Sequence, residues 1–64
     1  MSYILLYSER HGYFESIHNG CIRHADDFHR AANYKYLDVA MYMKEYLSTH
    51  CDEDYHIEVF SVEG

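Results

Sequence analysis

The sequence predicts a small α+β domain: a three-stranded antiparallel sheet in the order β-β-α-β, one main helix on one of its faces, and a short helical turn before that helix. Three observations carry this. Two apolar, strand-like runs flank the turn group Glu9-Arg10-His11-Gly12. Apolar residues then recur at helical spacing from about Tyr36 to Thr49. A period-two alternation closes the chain from about Tyr55 to Val62.

The first run, residues 2–8, is apolar on both alternations. Tyr3, Leu5 and Tyr7 fall on one face, and Ile4 and Leu6 on the other, so the strand is expected to be central. Which face meets the helix is left open by that symmetry. Gly12 supplies the freedom for positive φ that the turn requires. The return strand runs from Tyr13 to Ile17 or His18 and ends at Asn19-Gly20, a strong two-residue turn signal. Cys21-Ile22-Arg23 then either adds a short third strand or leads away from the sheet.

Asp26-Asp27 precedes Phe28-His29-Arg30-Ala31-Ala32. A carboxylate there caps free backbone N–H groups and starts one or two helical turns ending near Asn33. In the longer helix, Leu37, Ala40, Met41, Lys44 and Leu47 follow the i, i+3, i+4 rhythm. Asp52-Glu53-Asp54 opposes the helix macrodipole at its C-terminal end and favours stopping. Beyond it, Tyr55, Ile57 and Val59 alternate with His56, Glu58 and Phe60.

Sixty-four residues make one domain, residues 1–64, that buries only ~60% of its unfolded surface. Disulfides, a metal or self-association commonly stabilise so small a fold. Two cysteines are too few for a disulfide scaffold, and no basic-then-apolar leader opens the chain, so a cytoplasmic protein with reduced thiols is expected. No apolar run approaches a membrane span. The net charge of −6 disfavours direct nucleic-acid and membrane-surface binding, because both need clustered Lys and Arg. It suits a partner protein with a basic surface.

Eight Tyr and three Phe are the most informative excess. Tyr36, Val39, Tyr42, Met43 and Tyr46 lie outside the Leu37–Leu47 stripe, and a helix packed on one sheet needs one stripe only. Tyr36, Tyr42, Met43 and Tyr46 are therefore expected to anchor a partner. Glu45, Asp52, Glu53 and Asp54 are expected to steer it. Asp26-Asp27, Glu9, Glu15 and Glu63 extend the acidity; capping by Asp26 and a solvated loop at residues 52–54 are the plainer roles. The sheet face opposite the helix also needs cover. Tyr3, Leu5, Tyr7 and Phe60 are its candidates, with a sheet-to-sheet homodimer as the cover.

Six histidines invite a metal reading through Cys21-x-x-His24, His29 and His50-Cys51. Cys21 and His24 fit half a tetrahedron, whereas adjacent His50 and Cys51 point different ways on a helix, so no metal or other cofactor is expected. No Gly-rich phosphate loop, nucleophile elbow or His-Glu-x-x-His occurs, and so short a chain has little room for an enclosed pocket. An enzyme is not expected.

Tyr3-Ile4-Leu5, Gly12-Tyr13-Phe14, Ala25-Asp26-Asp27, Ala31-Ala32-Asn33-Tyr34 and Ile57-Glu58-Val59 give the chain a layout that resembles short β-β-α-β proteins encoded by tailed bacteriophages. The resemblance implies a host-takeover or anti-defence factor. Such a protein binds and blocks a bacterial immune protein, such as a CRISPR effector or a defence nuclease. The shared residues belong to the scaffold, so the resemblance assigns no site residue. The leading expectation is thus a phage-type inhibitor with an aromatic and acidic binding surface. The alternatives are a self-associating structural or regulatory protein and a small zinc-stabilised module.

Overall fold

In the computed structural model, which describes residues 2–61, the two apolar runs pair around their turn as predicted. Strand β1 is Ser2–Ser8, β2 is Gly12–His18, β3 is Cys21–Ala25 and β4 is His56–Ser61. The sheet order is β3-β2-β1-β4, with every neighbour antiparallel. The sheet therefore has four strands, one more than expected. The extra strand forms because Asn19 and Gly20 adopt φ of 50° and 78°, a two-residue turn that pairs His18 with Cys21. Val62 and Glu63, the ends of the expected last strand and acidic set, lie outside the described residues.

Glu15 is an extra residue in β2: Phe14 pairs with His24, but Ser16 pairs with Arg23. This bulge restores Phe14 and Ile17 to one face, opposite His24 and Ile22. Gly12 holds φ at 96°, and a Cβ there would sit 2.9 Å from the carbonyl oxygen of Ala25.

Helix α1, Leu37–Cys51, lies over β1 and β4. It meets the Ile4 and Leu6 face, which resolves the ambiguity of the first strand. Leu6, Phe14, Ala40, Leu47 and Tyr55 are buried together there, with Ile4, Ile22 and Met43 packed around them. The inner face of α1 is thus centred on Ala40, Met43, Leu47 and Cys51. The predicted stripe was rotated: Leu37 and Met41 are exposed, while Met43 turns inward. The reason is that apolar residues occur nearly all round this helix, so spacing alone does not select the buried side. Asp52 ends α1 in the left-handed conformation, φ 53°, and the Glu53 N–H returns to the Leu47 carbonyl at 3.4 Å.

The face opposite α1 has a cover that the sequence reading did not foresee. Asp27 caps a 3₁₀ turn, Phe28–Arg30, by accepting from the His29 N–H at 3.0 Å. Phe28 packs edge-on against Tyr3 and Phe60, whose rings stack 5.3 Å apart across β1 and β4. Tyr7 packs against Tyr13 and His56 at the other end of this face. Leu5 between them is 0% exposed. It therefore offers nothing to a second copy, whereas Tyr3, Tyr7 and Phe60 remain half-exposed.

From Phe28 the chain reaches α1 through the sheet. Strands β1 and β2 pair directly only at Tyr7–Tyr13 and Ser8–Gly12 and splay beyond that. Residues 32–34 fill the splay. The Ala32 N–H donates to the Phe14 carbonyl at 3.0 Å and the Tyr34 N–H to the Ile4 carbonyl at 2.9 Å. The Asn33 side-chain oxygen accepts from the Ile4 N–H at 3.0 Å. Backbone groups that a paired β2 would satisfy are satisfied by this segment instead.

Candidate functional site

The outer flank of α1 is where the structure gathers exposed aromatic surface. One helical turn separates Val39 from Tyr42, and further turns lead to Tyr46 and His50, so these four run along one side, with exposed Tyr36 at the N-cap just before them. Their exposures are 59% for Tyr36, 45% for Val39, 69% for Tyr42 and 38% for Tyr46. The row forms because the sheet needs only Ala40, Met43, Leu47 and Cys51. The His50 ring stacks on Tyr46 at 4.4 Å, and its Nδ1 lies 3.2 Å from the Tyr46 carbonyl oxygen. That stack fixes one wall of a shallow groove lined by Tyr42, Glu45, Tyr46, Thr49 and His50.

The expected binding residues divide accordingly. Tyr36, Tyr42, Tyr46 and Glu45 share the outward surface of α1, and Asp52 and Asp54 are exposed just past its end. Met43 does not join them, because it packs on the core. Glu53 does not join them either. Its Oε1 lies 3.3 Å from His11 Nε2, and its Oε2 is buried with no hydrogen-bond partner among the described residues. Spacing missed Thr49 and His50 as wall residues. The i+4 step from Tyr46 to His50 was the available signal.

The expected metal-type residues are scattered. Cys21 and His29 are exposed, on β3 and on the 3₁₀ turn, while His24 and Cys51 are half-buried. Both cysteines are free thiols. Among the described residues no three His, Cys, Asp or Glu side chains are arranged to hold a metal ion. His29 instead serves Asp27: its N–H and its ring Nδ1, 3.1 Å away, hold the Asp27 carboxyl below the usual carboxylate range.

A second polar constellation was not anticipated. His24 Nε2 is hydrogen-bonded to the Tyr55 hydroxyl, and the His24 ring stacks on Tyr55 and on His11, the latter at 4.9 Å. Burial, then the neighbouring His11, pushes the His24 imidazole below its ordinary value, with Glu53 acting the other way. Burial, with Glu53 and Cys51 nearby, pushes the Tyr55 hydroxyl up to about 12. The residues come from the β1–β2 turn, β3 and the loop after α1, so no local spacing joins them.

Comparison with protein-family models, with curated proteins and with solved structures returned no match. Among the described residues no helix is long and apolar enough to cross a membrane.

Proposed function

We propose that this chain is a small binding protein of the phage inhibitor type, which docks a bacterial defence protein through the outer flank of α1. The observation that supports this is the row Val39, Tyr42 and Tyr46, exposed along one side of α1, with exposed Tyr36 at its N-cap. Exposed aromatic surface that the fold does not use is what a partner site requires. Tyrosine anchors such sites well, having a large rigid ring and a polar tip. Glu45 beside the row and Asp52 and Asp54 beyond it favour a partner with a basic surface. The phage resemblance supplies the class: a CRISPR effector or another nucleic-acid-directed immune protein, whose nucleic-acid groove is basic by necessity.

The test compares tagged wild type with Tyr42→Ala in lysates of bacteria that carry such systems. Support is one stoichiometric nucleic-acid-binding defence protein that is retained by wild type and lost with Tyr42→Ala. Identical captured sets for the two proteins would remove this surface from the function.

A second reading, self-association, draws on the opposite flank. Leu37 and Met41 are exposed there above Ile57, and Val59 on the edge strand β4 is 62% exposed. An open edge with exposed apolar residues is a template for a second strand. Sedimentation of wild type and Val59→Glu separates the two readings. A dimer that Val59→Glu dissociates favours self-association, and a wild-type monomer at high concentration excludes it.

A further inference from the structure

We propose that His11, His24, Glu53 and Tyr55 form a proton-operated latch, which holds the β1–β2 turn, β3 and the loop after α1 together while His24 is neutral and yields when His24 is protonated. The proposal is independent of any partner.

The geometry carries it. Glu53 is drawn away from the exposed Asp52 and Asp54 on either side of it. One of its oxygens meets His11 Nε2 at 3.3 Å and the other is buried without a hydrogen bond among the described residues. With a proton on His11 this contact is an ion pair. His24 stacks on His11 at 4.9 Å with the rings 26° apart. A proton on His24 as well would therefore place two like charges ring to ring.

Tyr55 opposes that second proton in another way. Its side chain is buried, and its hydroxyl stays protonated at any physiological pH. The closed latch takes the Tyr55 hydroxyl as donor to the bare Nε2 of neutral His24, whose single ring proton is then on Nδ1; the contact itself has no direction until the tautomer is set. Protonation of His24 puts a hydrogen on Nε2, which turns the tyrosine hydroxyl into the acceptor and leaves its own hydrogen without a partner in the cluster. From the remaining neighbours, β2 contributes Phe14, which does not titrate and lies across from His24 in register. The end of α1 contributes Cys51, a half-buried free thiol. Among the described residues Glu53 is thus the group near His24 that favours its charged form, against burial and His11.

The sign follows. A histidine whose folded value lies below 6.5 adds stability above that pH, and the contribution is lost as pH falls from about 6.5 through the lowered value. The latch opens in the same window.

The experiment is an imidazole ¹⁵N–¹H titration of the intact chain over roughly pH 5 to 8, which covers the range where histidines change charge. Wild type alone suffices for the first readout. The expected result is a His24 midpoint below 6.5, with the Nδ1–H tautomer above it and Tyr55 shifts that follow the His24 curve. His11→Gln should move the midpoint up and Glu53→Gln should move it down, since the two neighbours act in opposite senses. A midpoint at or above 6.5, or one that neither substitution moves, overturns the proposal. So does a His24 titration that leaves Tyr55 unaffected.

Discussion

Gly12 stands where two demands meet. Its φ of 96° lies in a region that costs an L-residue about 1–2 kcal/mol, and the Ala25 carbonyl oxygen occupies the place of a Cβ. Backbone cannot swing aside as a side chain can. Gly12→Ala should therefore lower unfolding stability by more than about 1–2 kcal/mol, and urea denaturation read by circular dichroism checks it. Gly20, at φ 78° with open space around it, should lose less on the same change. The turn role of Gly12 was legible in the sequence because only local φ was involved. The His11–His24–Glu53–Tyr55 cluster was not, because its members meet only after three elements have packed, and no residue type or spacing foretells a stacked pair 13 positions apart.

At the scale of elements, local chemistry announced itself and tertiary fit did not. Asn19-Gly20 was visible as a turn, but the cap is Asp27 rather than the expected Asp26, because the turn begins one residue later, at Phe28. Strand β3 was a coin-toss, since five residues with one strongly apolar position show little alternation. The buried side of α1 keeps Ala40 and Leu47 of the expected stripe but takes Met43 and Cys51 in place of Leu37 and Met41, because competing apolar stripes run along the helix. The helical turn expected to end near Asn33 stops at Arg30, and the segment 32–34 completes the sheet instead. Asn33 acts there as a substitute backbone acceptor for Ile4. Asn33→Ala should cost about 0.5–1.5 kcal/mol and raise amide exchange at Ile4, while Asn33→Asp, which keeps the acceptor, should restore the protection. Equal exchange in all three proteins would mean that the segment is held by Ala32 and Tyr34 alone.

On the scale of the whole molecule, the core and the proposed binding surface occupy different faces of one helix, so stability and binding should separate. Leu47 is fully buried and Tyr42 is the most exposed large residue of α1. Leu47→Ala should cost about 2–5 kcal/mol of stability and unfold much of so small a domain. Tyr42→Ala should stay within about 0.5 kcal/mol of wild type while weakening partner binding by at least about 2 kcal/mol, roughly thirtyfold in Kd. A Tyr42→Ala protein that is itself unfolded would place Tyr42 in the core and refute the flank assignment. Electrostatics adds a separable kinetic term. Asp52 and Asp54 are exposed beyond the end of α1, whereas Glu53 is engaged with His11. Replacing Asp52 and Asp54 with Asn should slow association with a basic partner, flatten its dependence on salt and leave dissociation almost unchanged, because charges at the rim steer the encounter rather than hold the complex. Stopped-flow association at two ionic strengths measures this. An unchanged rate at low salt would confine recognition to the tyrosine row.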